Sequence, residues 1–294
     1  MNYRVTHTTN YRYSESVSLC HNEARLTPRS FFNQTCLDSK LTIAPQPVNY
    51  REREDFFGNR TTYFSIEQPH NALSVTSAST IHIVPYSDNT NLLDTPWQTV
   101  LDHLQTFLDP TYLDVKQFAL PSSMVVANAE LKTYATSSFP DGRPLIEAVQ
   151  DLNSRIHADF KYVPGFTTIA TPLSVVFKHR RGVCQDFAHL AIGCLRSLGL
   201  AARYVSGYLE TLPPPGKPRL VGADASHAWF SIYVPQNGWI DFDPTNNTMP
   251  SDQHITVAWG RDFADVTPLK GVIFGSGKHE LDVSVDVERI EIKK

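Results

Sequence analysis

Three side chains in the second half of the chain are suited to nucleophilic attack on a carbonyl carbon: Cys184, His227 and Asp243. A thiol attacks as its thiolate, an imidazole can take the thiol proton, and a carboxylate can hold that imidazole in the required tautomer. All three lie between residues 184 and 243. The sequence therefore predicts a Cys-His-Asp triad, with Cys184 as nucleophile, His227 as base and Asp243 as the group that orients the base.

Cys184 begins a segment whose apolar residues recur with helical spacing, which predicts a helix that ends at Gly199. Unpaired N–H groups and the dipole at a helix N-terminus favour an anion, so a thiol there is a better nucleophile at neutral pH. A free cysteine at this position can also simply pack against its neighbours. Cys194, in contrast, lies on the apolar side of the helix and is expected to belong to the core. The apolar positions are Phe187, Leu190, Ala191, Cys194, Leu195 and Leu198.

A metal site is the other chemistry to consider here, because His179, Cys184, His189 and Cys194 are spaced by five. Five residues advance a helix by about 500°, so successive members of this set do not share a face. Zinc sites usually have shorter spacings between their ligands. We therefore expect no metal and no cofactor, and we place His189 on the polar face, as a surface residue or a support for the site.

His227 and Asp243 are predicted to lie on the two arms of a β-hairpin. Residues 225–234 alternate as a strand, residues 235–238 form a turn cluster, and residues 239–245 return. With a two-residue turn, Asp243 would project from the face opposite to His227. With a five-residue loop, Tyr233 opposes Trp239, and Asp243 becomes a diagonal neighbour of His227 on the same face. The triad hypothesis predicts the second register and makes Asp241, farther along the arm, the weaker candidate.

The elements that would position these residues suggest an α+β protein. Residues 1–90 read as an antiparallel β domain, because short strands with period-two patterns alternate with Asn, Pro and Gly-Asn turns. Residues 91–144 read as a helical connection, and residues 145–294 as the core that carries the triad, including a C-terminal strand.

The motifs resemble those of the bacterial transglutaminase-like superfamily, and the resemblance spans nearly the whole chain. They occur in the order Gly182-Val183-Cys184-Gln185-Asp186, Tyr204-Val205-Ser206-Gly207-Tyr208, His227-Ala228-Trp229 and Trp239-Ile240-Asp241-Phe242-Asp243-Pro244-Thr245. The N-terminal segments Tyr3-Arg4-Val5-Thr6-His7 and Asp55-Phe56-Phe57-Gly58-Asn59-Arg60 resemble the β domain that precedes the core in that group.

This resemblance implies a papain-like, transglutaminase-like α+β core in which Cys184, His227 and Asp243 form the triad. The family attacks a carboxamide or peptide carbonyl, forms a thioester, and resolves it with an amine or water. The Cys184 backbone N–H is a natural oxyanion donor. Tyr162, Gln185 and Trp229 are further candidates for contacts with the oxyanion or the substrate.

Two other functions stay open at this point. A cysteine peptidase or amidase would use the same triad and differ only in its product. A catalytically idle binding module would use the same fold, with the N-terminal β domain as its active surface. An idle site, however, has no need of all three triad residues.

Composition excludes several classes of protein. The formal net charge is −4 and there is no long Lys/Arg run, which argues against nucleic-acid and membrane-surface partners. The first residues lack the pattern of a secretory signal, and no apolar window is long enough for a transmembrane helix. Four cysteines in a chain of 294 residues do not suggest a disulfide framework. We expect a cytoplasmic protein that acts on a protein or peptide substrate.

Overall fold

The structure is a computed structural model that describes residues 1–85, 92–106, 112–211 and 226–291. Within them the strands are β1 (Asn2–Val17), β2 (Leu19–Ala24), β3 (Gln34–Ala44), β4 (Asn49–Glu54), β5 (Arg60–Ile66), β6 (His70–Ile83), β7 (Lys161–Tyr162), β8 (Arg181–Gly182), β9 (Ala202–Leu209), β10 (Ser226–Val234), β11 (Gly238–Phe242), β12 (His254–Gly260), β13 (Leu269–Phe274) and β14 (His279–Arg289). The α-helices are α1 (Trp97–Thr106), α2 (Leu113–Lys116), α3 (Ala129–Thr136), α4 (Leu145–Asp159), α5 (Leu173–His179), α6 (Cys184–Ser197) and α7 (Phe263–Val266). None of these helices has the length and apolar character needed to cross a bilayer.

The N-terminal strands form two four-stranded antiparallel sheets, with orders β14-β1-β6-β3 and β13-β2-β5-β4. Burial alternates along most of β6, as a strand with one covered face requires. The two sheets share a small core made of Tyr13, Val17, Cys20, Ala24, Leu26, Phe64, Ile66, Leu73 and Val75.

The last two strands belong to this N-terminal part in space. β14 pairs with β1 over an uninterrupted register from Tyr3↔Arg289 to Tyr13↔His279, and β13 pairs with β2. The sequence analysis assigned residues 145–294 to the core and did not predict this pairing, because strand partners that are distant in sequence leave no local pattern. Strands β13 and β14 therefore complete the two sheets that the first six strands form.

The second part of the fold is a sheet of order β11-β10-β9-β12 with α6 packed against one face. From Phe187 to Arg196 every residue of α6 is buried, because the sheet covers one side of the helix and α3, α4 and α5 pack on others. The large hydrophobic core of this second part includes Leu152, Leu190 and Phe230 and extends to residues of β1 and β6. This sheet and α6 fix the relative positions of the triad candidates.

Two buried side-chain amides attach the β domain to the edge of β12 that has no neighbouring strand. Gln34 donates to the carbonyl of Thr256 (2.8 Å) and accepts from its N–H (2.9 Å). Asn59 does the same with Trp259, at 2.9 and 3.0 Å. Each amide thus satisfies the two backbone groups that an edge strand leaves unpaired.

Candidate active site

Cys184 is the first residue of α6 and is half-buried. The turn that leads into the helix is held by Asp186, whose Oδ2 accepts from the Val183 N–H (2.8 Å) and the Thr167 hydroxyl (2.6 Å). A Cβ at Gly182 would come within 2.8 Å of Asp186, so glycine is required there for close packing. Burial raises the pKa of Asp186 despite these hydrogen bonds. The result is a half-buried thiol at a helix N-terminus, as the sequence predicts.

His227 and Asp243 meet across the hairpin formed by β10 and β11. The ladder pairs Tyr233 with Trp239, which is the predicted register, and adds one more pair, Val234↔Gly238, so the loop is shorter than expected. His227 Nε2 lies 2.7 Å from Asp243 Oδ2. The strand period of two brings both side chains to one face at the end of the sheet.

The Asp243 carboxylate is fully buried and surrounded by hydrogen-bond donors. Oδ1 accepts from the backbone N–H groups of Thr245 (2.9 Å) and Asn246 (3.2 Å). Oδ2 accepts from His227, from the Asn246 amide (2.7 Å) and from His254 Nε2 (3.1 Å). Burial alone would raise the pKa of Asp243, but these bonds, first that from His227, hold it well below its usual range. The carboxylate is therefore ionised and fixed in one orientation.

The ring of His227 lies between this carboxylate and the Cys184 thiol. Burial would lower the pKa of His227, but hydrogen bonds with Asp243 and with Cys184, together with their charges, raise it well above its ordinary value. Because Asp243 engages Nε2, Nδ1 is the ring nitrogen left to take the thiol proton. The arrangement can hold a thiolate beside an imidazolium.

The three further candidates have different environments. Tyr162 is half-exposed on β7, pairs with Gly182, and lies close enough to Cys184 for the thiolate charge to add to burial in raising the Tyr162 pKa. Gln185 is half-buried in the first turn of α6. Trp229 is fully buried, and its indole N–H donates to Asp241 (2.9 Å). This corrects the expectation that Trp229 contacts the oxyanion or the substrate, since the side chain instead links the two strands of the hairpin through this hydrogen bond.

In the part of the chain that the structure describes, the side chains spaced by five do not form a convergent group of ligand atoms. His189 is buried, packs on Tyr204 and accepts from the Phe263 N–H (3.1 Å), so the expectation of a surface residue on a polar helix face is wrong. The helix is covered on nearly all sides, so it has no such face here. Desolvation lowers the pKa of His189 to about 4. Among the described residues, the ligand-type side chains that do converge are His227, Asp243 and His254, with ligand atoms within 4.8 Å of one another.

His254 is the residue of the site that the sequence did not reveal. It begins β12, eleven residues after Asp243 and on the far side of β9 from His227. No motif or period connects it with the hairpin, so only the order of the strands in the sheet places it beside the carboxylate. It also contributes to the wall of a cleft of about 1100 Å³ between the β domain and the hairpin, whose lining includes neither Cys184 nor His227.

Comparisons with known proteins agree with this architecture. Residues 3–82 match the model of the bacterial transglutaminase-like N-terminal region, and residues 132–244 match that of the transglutaminase-like superfamily. An uncharacterized protein of Mycobacterium tuberculosis is 42% identical over 98% of this chain and 93% of its own length. The chain belongs to the bacterial transglutaminase-like family.

Other relatives differ in how much of the chain they cover. An uncharacterized Mycobacterium leprae protein is 34% identical over 98% of both chains. A protein-glutamine gamma-glutamyltransferase of Pseudomonas aeruginosa is 30% identical over 37% of this chain and 19% of that enzyme. The crystal structure of a candidate cysteine protease from Cytophaga hutchinsonii has a TM-score of 0.76 and 23% identity, and the match covers 100% of this chain and 92% of that one. This likeness confirms the predicted fold class, an N-terminal antiparallel β region followed by a papain-like α+β core.

Proposed function

We propose that the protein is a thiol-dependent acyl-transfer enzyme that acts on carboxamide or amide carbonyls of proteins or peptides through a thioester. One observation carries the proposal. His227 is held at 2.7 Å by a buried, ionised carboxylate and interacts on the same ring with a thiol at a helix N-terminus. A packing role for these residues gives no reason for placing a buried carboxylate, an imidazole and a half-buried thiol in contact.

In the acylation step, the Cys184 proton passes to His227 and the sulfur attacks the carbonyl carbon. The imidazolium then gives its proton to the departing nitrogen, the C–N bond breaks, and ammonia or an amine leaves. Asp243 keeps the ring in place and stabilises its positive charge throughout. The N–H groups at the start of α6 are suited to bind the developing oxyanion, and Tyr162 and Gln185 stay candidates for additional contacts.

In the second step an amine or water attacks the thioester, His227 takes the attacking proton, and the C–S bond breaks to restore the thiolate. An amine gives transamidation, and water gives deamidation or peptide cleavage. The similarity to a P. aeruginosa gamma-glutamyltransferase favours transfer to an amine, over the part of the chain that it covers. Hydrolysis by a cysteine peptidase or amidase is the second candidate, since the same triad serves it. The four unpaired cysteines support a cytoplasmic location as part of the proposal.

Alkylation by iodoacetamide near neutral pH, followed residue by residue with mass spectrometry, tests the reactive thiol. We expect Cys184 to react much faster than the half-buried Cys36, and His227→Ala to remove that difference. Equal rates for Cys184 and Cys36 would refute the proposal and leave an idle binding module. Incubation with casein and a fluorescent primary amine then separates the two reactions: incorporated amine with released ammonia shows transfer, and new amino termini show proteolysis.

A further inference from the structure

His254 is a second histidine on the carboxylate of the proposed triad. Its Nε2 lies 3.1 Å from Asp243 Oδ2, the same oxygen that His227 contacts at 2.7 Å. Its side chain is 7% exposed and packs edge-on against Trp229, with ring centroids 5.2 Å apart. The carboxylate oxygen is therefore shared between two imidazoles that approach from two strands of the sheet.

The other ring nitrogen of His254 fixes its tautomer. Nδ1 is buried and has no hydrogen-bond partner among the described residues. A neutral His254 therefore carries its proton on Nε2, the nitrogen that faces the carboxylate, and donates to Asp243. A buried polar nitrogen without a partner is destabilising, so an apolar side chain would fill this position at lower cost if packing were its role.

We propose that His254 is a positioning residue, which fixes the rotation of the Asp243 carboxylate and limits how strongly that carboxylate stabilises the protonated ring of His227. The inference rests on the proposed function of the triad. The two imidazoles share this oxygen with the Asn246 amide (2.7 Å), and donors on one oxygen divide its acceptor capacity, so removing His254 strengthens the bonds that remain. The division matters for His227, because this ring must release its proton to the leaving nitrogen in every cycle.

The test is the titration of the His227 ring, followed by histidine-selective NMR of the full chain. The titratable groups that face this ring are Cys184, Asp243 and His254. In His254→Phe, which keeps a ring but removes the donor, we expect His227 to lose its proton at a pH higher by about half a unit or more. Turnover should fall as well, because a more strongly held imidazolium gives up its proton less readily to the leaving nitrogen. His254→Gln, whose amide N–H can donate to Asp243, should restore both values toward those of the wild type.

His70 provides a matched control within the β domain. It is also buried, has one ring nitrogen without a partner, and packs edge-on against an aromatic ring, that of Tyr13. His70→Phe should leave the His227 titration unchanged, even if both Phe variants alter the free energy of unfolding.

A His254→Phe titration that superimposes on that of the wild type, or shifts to lower pH, would overturn the inference. A wild-type protein whose Cys184 is no more reactive than Cys36 would instead overturn the proposed function. Because ring titration needs no turnover, the two failures are distinguishable.

Discussion

The indole of Trp229 lies against the bare backbone of Gly207 on the neighbouring strand. A Cβ at position 207 would come within 2.5 Å of Trp229 Cη2 and would also collide with the backbone oxygen of Ile255. Gly207 pairs directly with His227, and Ile255 follows His254, so both histidines of the site are next to this contact. The packing of the sheet thus depends on a glycine beside the candidate base.

We expect Gly207→Ala to displace Trp229 and the start of β12. Overpacking of this kind costs about 1–3 kcal/mol in the free energy of unfolding. Urea denaturation measures this loss, with the adjacent Ser206→Ala as the comparison. Turnover should fall in Gly207→Ala as well, since the displaced strands carry His227 and His254. A Gly207→Ala protein as stable as Ser206→Ala would show that the strands adjust freely.

Asp243→Asn should reduce turnover by roughly 10³- to 10⁴-fold, because an amide cannot accept from all the surrounding donors or hold His227 in its required tautomer. Cys184→Ala should reduce turnover further, because it removes the nucleophile, while leaving the near-UV circular dichroism spectrum unchanged. Asp241→Asn is the comparison on the same strand, and its effect should be smaller, since Asp241 binds Trp229 and Ser231 and not His227. A larger loss in Asp241→Asn than in Asp243→Asn would contradict the assignment.

The pH dependence of stability follows from the raised pKa of His227, whose unfolded value is about 6.5. A group with a raised folded pKa contributes stability that is fully present below its unfolded pKa and is lost as pH rises through the folded pKa. The difference in unfolding free energy between the wild type and His227→Gln should therefore shrink as pH increases above about 6.5. Denaturation at a series of pH values measures it, and a constant difference would mean that folding does not raise the pKa of His227.

Gln34→Met should destabilise the attachment of the β domain to β12. The side chain is 2% exposed, and its loss leaves both backbone groups of Thr256 without their partner. Each unsatisfied group costs about 1–3 kcal/mol, so we expect the two to cost roughly 2–6 kcal/mol in the free energy of unfolding. The exposed Gln68→Met serves as the control for the substitution itself. Equal stability of the two variants would indicate that water replaces the amide.

Local patterns predicted the parts of the site that lie close together in sequence. The helical period after Cys184 placed the thiol at a helix N-terminus. The strand period around His227 and Asp243 allowed two registers, and the triad hypothesis selected the Tyr233–Trp239 pairing that the structure has, although with a shorter loop. These predictions succeed because helix and strand periods are properties of a few consecutive residues. Their catalytic roles stay a proposal.

Patterns failed where burial depends on several elements at once. The position of His189 on α6 indicated a polar face, but α6 is covered by a sheet and by other helices, so the residue is buried. Trp229 was expected near the substrate, but it fills the space above Gly207 instead. A period shows which residues share a face of an element, and not what covers that face.

The sequence by itself determined the class of fold, the candidate triad and the hairpin that joins two of its members, because each depends on local order or on motifs read along the chain. Only the tertiary structure decided that β14 pairs with β1 and that His254 shares a carboxylate oxygen with His227. Both contacts join elements whose separation along the chain says nothing about their distance in space. Sheet order sets that distance, and it is fixed by the packing of the whole molecule.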